Sequence, residues 1–495
     1  MTALPRSCGT VLLALTVMCV TAWGEQAIPR FGVFETTLSG PDDLRDPYRQ
    51  VQVTVAFTGP TSAGTPRVVV EAFWDGADVW KVRMAPTHVG AWTWRTTSNV
   101  KKLDGLTGRL SCVPSRGEGF LQTKPVDRPH LVLRTNRPVY LTGAGTSALS
   151  DFSLKNGSFQ RLVDTRLAQG FNYLHPEPIN PGTVNEGGKP FTNAHNLSPN
   201  PDFFKVADQR FYFCRLKGMA AGIPLDSSEG PARADLERFC RYLVARYAAF
   251  DVIWIIPGKD QPDARFTRTT GRLIRKHDPY KHLIMASTTA DDKTLARDPW
   301  LDIVLHQGDP KDIESFRQFA KPVVAVNSCI ENLTGKPVAD PPHPVGDTDA
   351  VRRAAWTVAM HSGQPVHQAA GLNADKPAAL NSLGARHVGI IGTFFAQTDW
   401  TTILPADKLL LKGNAIVRAR LGNEFVAYLP AGGTVSLDTS AIAGTIWVQW
   451  FNPRLGRVTH SMRLPHQTPL TVNAPDKTND WVLHVFQDRP AKVHY

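Results

Sequence analysis

The residues best equipped for chemistry sit at the ends of short apolar runs. Lys259 and Asp260 follow Val252-Ile-Trp-Ile-Ile-Pro-Gly258. A buried parallel strand there would hand both residues to its carboxyl end, where α/β barrels carry their reactive groups. Asn327 and Glu331 follow a second run within Val326-Asn-Ser-Cys-Ile-Glu331, and His306 with Gln307 close a third. Glu177, Asp226 and His367 stand at the ends of others. Each alone is more often a loop or hydrogen-bonding residue; gathered at one rim they make a polar cleft. Carboxyl groups are the reactive element, since a protonated one can assist a leaving group and an ionised one can attack or activate water. Asp260 and Glu331 are the candidate catalytic pair.

Positioning such residues takes repeated strands and helices, and residues 128–405 supply them. Strands are expected at 139–142, 171–175, 219–224, 252–256, 282–286, 302–306, 322–326 and 365–369. Helices are expected between them, for instance at 158–169, 201–217, 232–249, 264–277, 312–320 and 349–362. In the helix before Asp251, Leu236, Phe239, Cys240, Leu243, Val244 and Tyr247 recur at helical spacing, so one face packs inward. Asp278-Pro stops the helix that follows the 252–256 strand. Eight strands alternating with helices call for a (β/α)8 barrel. On either side the pattern is of short alternating strands between Gly, Pro and Asp turns. The expected architecture is therefore a multidomain α/β chain, a TIM barrel flanked by β-sandwiches at 25–127 and 406–495.

At 495 residues the chain is too long for one ordinary core. Residues 1–24 carry Arg6, an apolar run from Val11 to Val20 and then Ala22-Trp23-Gly24, a secretory signal peptide pattern. Secretion, to the periplasm or the exterior, is the expected localisation. No apolar run approaches the ~20 residues that a membrane-spanning helix needs. The formal charge of +11 is spread thinly, with no run of lysines and no basic helix. It suits acidic partners such as anionic polysaccharide, and no nucleic-acid motif accompanies it. Cysteines 112, 214, 240 and 329 match no metal motif, and no cofactor is expected; Cys214 and Cys240, on neighbouring helices, could be bridged or free.

The succession Pro138-Val-Tyr-Leu-Thr-Gly143, Gly170-Phe-Asn-Tyr173, Asn200-Pro-Asp-Phe-Phe204, Arg241-Tyr-Leu-Val-Ala-Arg-Tyr247, Val252-Ile-Trp-Ile-Ile-Pro-Gly258, Asp278-Pro-Tyr-Lys-His282 and Val351-Arg-Arg-Ala-Ala-Trp356 covers nearly the whole middle segment. It resembles the secreted, DUF4038-like barrel family that includes apiosidase-type glycoside hydrolases. Phe73-Trp-Asp-Gly76, Trp80-Lys-Val-Arg-Met-Ala-Pro86 and Gly90-Ala-Trp-Thr-Trp94 resemble the DUF5060 sandwich that precedes many secreted glycoside hydrolases. Its Trp74, Trp80, Trp92 and Trp94 could form a sugar-stacking platform or simply the sandwich core. Asn423-Glu-Phe-Val-Ala-Tyr-Leu-Pro430 and Trp447-Val-Gln-Trp-Phe-Asn-Pro-Arg-Leu-Gly456 resemble the small carboxy-terminal sandwich of the same enzymes. That sandwich carries a collagen-binding label, and its expected role here is to steady the barrel.

The resemblance implies a carbohydrate partner and two carboxyl groups across a glycosidic bond. It places them at Lys259 and Asn327, where neither residue is an acid. Two readings follow. Either Asp260 and Glu331 form a rebuilt pair, with Lys259 tuning one of them, or the barrel binds glycans without hydrolysing them. The expected sugar contacts are Glu177, Asp226, Trp254, Lys259, His306, Gln307, Asn327 and His367. In Gly143-Ala-Gly-Thr146 an aspartate usual before the threonine is also absent, and Val366-His-Gln-Ala-Ala-Gly371 lacks the Tyr-Gly pair typical of the eighth strand.

Overall fold

A computed structural model describes residues 26–123, 132–134, 137–146, 156–177, 179, 182–225, 232–256, 264–288, 293–334, 345–370, 372 and 377–487. Eight parallel strands close on themselves: β1 (Gly143–Thr146), β2 (Tyr173–Pro176), β3 (Ala220–Pro224), β4 (Val252–Ile256), β5 (Ile284–Thr288), β6 (Ile303–Gln307), β7 (Val323–Asn332) and β8 (Gly363–Ala370). Around them lie α1 (Asn156–Ala168), α2 (Pro201–Lys217), α3 (Arg233–Tyr247), α4 (Ala264–His277), α5 (Thr348–Met360) and α6 (Leu383–Ala396). A 3-10 segment, Pro310–Phe319, stands where the sequence suggested an α-helix between β6 and β7. Local chemistry sets the helix ends. At α2, the Asn200 side chain accepts from the Asp202 N–H, Pro201 opens the first turn and left-handed Gly218 closes the last.

The strands alternate. Tyr173, Ile253, Ile255, Met285, Ile303, Leu305, Val324, Val326 and Val366 fill the barrel axis, whereas Leu174, Trp254, Ile256, Ile284, Val304 and Cys329 face the helices. Burying each such aliphatic or aromatic side chain stabilises the fold by about 1.5–3 kcal/mol. Both faces being apolar, the strands read as continuous hydrophobic runs.

The first strand departs from expectation. Arg137–Val139 pairs antiparallel with Val132–Arg134, and that strand with Leu121–Thr123, in a separate three-stranded sheet. The barrel strand is instead Gly143-Ala-Gly-Thr146, for a steric reason. A Cβ at Gly143 would lie 2.7 Å from Val366 Cγ2, and one at Gly145 would lie 2.4 Å from Gln368 Cγ, so β8 side chains occupy the space that β1 leaves empty. The seventh strand is longer than expected and bulged, with Ala325 opposite Pro365 but Cys329 opposite His367.

The amino-terminal sandwich packs a five-stranded sheet on a three-stranded one, with Trp80 and Trp92 in its core and Trp74 and Trp94 half-buried against it. These tryptophans therefore do not make one exposed platform. The carboxy-terminal sandwich packs a six-stranded sheet on a three-stranded one.

Each sandwich is joined to the barrel by a different bond chemistry. On the amino-terminal side, buried Arg83 lies 2.6 Å from Asp208 of α2 and 2.6 Å from Glu35. Arg246 of α3 also reaches Asp208, at 2.8 Å, and Asp75, at 2.8 Å. Burial alone would raise the Asp208 pKa, but the two guanidiniums outweigh it and hold the carboxyl near about 2. On the carboxy-terminal side, Trp356 of α5 stacks on Tyr428 at 5.7 Å and Phe394 of α6 meets Phe451 at 4.8 Å, beside a buried Arg352–Asp480 pair at 2.8 Å. Cys112, Cys214, Cys240 and Cys329 are buried and free, so no bridge joins Cys214 to Cys240. No helix among the described residues is long and apolar enough to cross a membrane.

Candidate active site

Side chains at the carboxyl ends of the strands divide between the axis and the helix layer, and the division decides which can meet a ligand. On β2, His175 is half-buried on the axis side, with its Nδ1 2.9 Å from the Tyr173 hydroxyl. Burial lowers its pKa to about 4, so the imidazole is neutral. A neutral ring carries one hydrogen, so it offers a donor on one nitrogen and an acceptor on the other. Ser287 on β5 and Gln307 on β6 take the same axial register, odd-numbered beside Met285 and Leu305. On β8, Gln368 accepts the Asn327 backbone N–H at 2.6 Å through Oε1.

Asn327 marks the β7 bulge. Its φ of 62° is left-handed, a conformation asparagine tolerates better than most residues. Next to it, Ser328 donates to the Gly308 carbonyl at 3.2 Å, which ties the bulge to the turn after β6. Glu177 is exposed directly after β2, its backbone N–H bonded to the Thr146 carbonyl at 3.0 Å. Lys259, Asp260 and Asp226 lie outside the described residues, so their separations from Glu331 and Asn327 are not part of the geometry.

Three expected contacts face away from the axis. Trp254 is 0% exposed on the helix side of β4 and donates to Asp278 at 3.0 Å, so it is a packing residue. His306 turns to the 3-10 segment, against Phe316 at 5.5 Å, with Nε2 3.0 Å from the Asp309 carbonyl. His367 is buried on the outer side of β8, with Nε2 3.0 Å from Glu331.

Glu331 is the consequential correction. It is 3% exposed and lies between β7 and the start of α6. Its carboxylate takes the His367 contact, the Ser382 hydroxyl at 2.6 Å, the Gly384 N–H at 3.0 Å and the Thr348 hydroxyl at 3.3 Å. Gly384 permits this approach, because a Cβ there would come within 2.5 Å of the Glu331 carboxyl carbon. Burial by itself would raise the acid's pKa, yet His367, Ser382 and the Gly384 N–H together pull it down to about 2. Burial also lowers the His367 pKa, so a neutral imidazole donates to a permanent carboxylate. A group with that pKa cannot serve as a general acid near neutrality, and a helix-side position keeps it from a ligand on the axis. Ser287, Ser328, His175 and Gln368 were not singled out in the sequence, because strands apolar on both faces do not reveal which parity meets the axis. Among the described residues no group of three or more His, Cys, Asp and Glu side chains could hold a metal ion.

Comparison with known proteins bears on this arrangement. Residues 128–367 match the family model "Apiosidase-like, catalytic domain". The barrel resembles an apiosidase-like domain. Residues 27–99 match DUF5060, a domain of unknown function, and residues 405–486 match "Putative collagen-binding domain of a collagenase". No curated protein matches the chain. Among solved structures, the chain is similar to a putative glycoside hydrolase from Bacteroides vulgatus, at a TM-score of 0.74 and 15% identity over 93% of this chain and 100% of that one. It is also similar to a glycoside hydrolase family 5 protein from Bacteroides vulgatus, at a TM-score of 0.63 and 16% identity over 76% and 96%. At such identities the likeness is one of fold, and it runs through the apiosidase-like barrel and both sandwiches. The chain thus has a glycoside hydrolase-like fold.

Proposed function

We propose that the apiosidase-like barrel binds a poly- or oligosaccharide at the axial rim of its strands and does not hydrolyse it by two-carboxylate chemistry. The observation that carries this reading is the orientation of Glu331, which is buried behind the wall and committed to four partners. Of the other carboxylates directly after barrel strands among the described residues, Asp309 caps the 3-10 segment and Glu177 is exposed. What the axial rim offers is hydrogen-bonding groups without charge, on His175, Ser287, Gln307, Asn327, Ser328 and Gln368, a set suited to hydroxyls. The leader-like residues 1–24 support export, which places this binding outside the cytoplasm.

The test joins calorimetric binding with product analysis over a panel of plant and bacterial oligosaccharides. Binding without turnover is expected, and Lys259→Asp combined with Asn327→Glu is expected to introduce measurable hydrolysis. The reading fails if the unaltered protein hydrolyses a glycoside and Asp260→Asn slows it by about a hundredfold or more, the scale of a lost acid or base.

A further inference from the structure

One face of the five-stranded sheet in the amino-terminal sandwich is turned to solvent. Along Val53–Thr58, Arg67–Glu71, Gly90–Ser98 and Thr107–Val113 the residues alternate, with Val55, Phe57, Trp92 and Leu110 in the core and the intervening positions exposed or half-exposed. Three of the exposed positions are arginines, Arg67, Arg95 and Arg109. Arg67 stands opposite Thr58, Thr58 opposite Thr93 and Thr93 opposite Arg109, so one row crosses the four strands with a guanidinium at each end. Arg95 lies in the next row, opposite Thr107. With strands about 4.8 Å apart, the two ends of the first row are about 14 Å apart at the backbone, and Arg95 is about 8 Å from Arg109.

A solvated face usually intersperses both signs of charge. This one does not. The acid on these four strands is Glu71, at the corner nearest the barrel, and it is tied to Arg241 of α3 at 2.6 Å. Asp104, beside the sheet, accepts the Ser98 N–H at 2.9 Å. Arg67, Arg95 and Arg109 make no ion pair or side-chain hydrogen bond with a described residue. Their cross-strand neighbours are Thr58, Thr93, Thr107 and Ala56, all neutral, so none of the three supports the sheet through a cross-strand ion pair. A sheet face has no cavity to enclose a small molecule, and an extended polymer lying across it is the better fit. Guanidinium forks match planar carboxylates, and the threonine hydroxyls between them can donate to or accept from sugar hydroxyls.

We propose that this face is a docking surface for a carboxylate-bearing polysaccharide, a polyuronate chain laid across the sheet with its carboxylates on Arg67, Arg95 and Arg109 and its hydroxyls on the intervening threonines. The proposal rests on the carbohydrate reading of the chain but uses none of the barrel-rim residues. The face anchors the protein to the polymer by charge, and the rim is left to meet a neutral part of it.

The experiment is calorimetry of the full chain with polygalacturonate, with its fully methyl-esterified and therefore uncharged form, and with phosphatidylglycerol vesicles, at low and at physiological salt. Polygalacturonate is expected to bind, and to bind less tightly as salt rises. The triple variant Arg67→Thr, Arg95→Thr and Arg109→Thr should bind it about tenfold or more weakly. Threonine suits a strand and the three arginines hold nothing in place, so this variant should fold; circular dichroism checks it. A second triple variant, Lys311→Gln, Lys408→Gln and Lys412→Gln, removes the same charge from exposed positions elsewhere and should bind as the unaltered protein does. The proposal is overturned if polygalacturonate does not bind, if the threonine variant binds it undiminished, if the lysine variant loses as much, or if the vesicles bind more tightly. It is overturned also if the threonine variant loses the esterified polymer to the same degree, since charge would then not be what is recognised. If no neutral glycan binds, the rim reading falls, and loss of polygalacturonate binding in the threonine variant alone keeps the sheet face standing.

Discussion

Toward the barrel axis, the β7–β8 wall presents Gln368, with Asn327 and Ser328 in the bulge beside it, neutral groups half open to solvent. Toward α5 and α6, the same two strands bury Glu331 against His367, Ser382, Thr348 and the first turn of α6. The acid has not been lost from this sector; it stands on the side where it staples helices to the sheet. A carboxylate is strongest as a staple when it is dry and fully bonded, and most useful as a catalyst when its proton is easily exchanged. The wall separates those two demands by one step of strand alternation.

Glu331→Gln gives the largest expected effect. It removes the charge that four donors share, so about 3 kcal/mol of stability should disappear in urea unfolding. The same residue predicts a pH signature. Its folded pKa of about 2 lies below the ordinary carboxylate value of about 4.3, so its contribution is complete above roughly pH 4 and is lost as pH falls toward 2. The variant should flatten that part of the acid-unfolding curve. Unchanged stability together with altered glycan turnover would break the distinction between the two faces.

Next in size, Gly384→Ala drives a methyl group against the Glu331 carboxyl carbon and should cost about 1–3 kcal/mol, read as a lowered urea midpoint. On the axial face the effects should be smaller. Asn327→Val forces a β-branched residue into left-handed backbone and should cost about 1–2 kcal/mol, whereas Asn327→Gly should be close to neutral. Equal destabilisation by the valine and glycine variants would show that the Asn327 side chain, not its backbone, holds the bulge.

These contrasts also show what the sequence could reveal. The 252–256 strand appears where it was expected, because five apolar residues between an aspartate and a Pro-Gly leave few alternatives. The barrel and sandwich classes were legible from the change of period. Which parity of each strand faces the axis was not, since a barrel strand is apolar on both sides. That is why Trp254, His306, His367 and Glu331 were expected in the cleft, though all four share the outward register. The first barrel strand was hidden differently: Gly143 and Gly145 carry no side-chain signal, and the residues that define them sit on β8. Lys259, Asp260 and Asp226 remain sequence-level candidates.

The shared Asp208 has a consequence for how such chains can be assembled. Its carboxylate belongs to the barrel, but one of its two guanidiniums arrives from the sandwich on Arg83, while Arg246 spans back to the sandwich's Asp75. Severing the connection between the units would strand ionised groups on both cut surfaces, at a cost of several kcal/mol. The amino-terminal sandwich is therefore not a portable cassette. A graft onto a foreign barrel would have to carry the Asp208–Arg246 pair with it, and drift at any one of these positions would require an answering change across the seam.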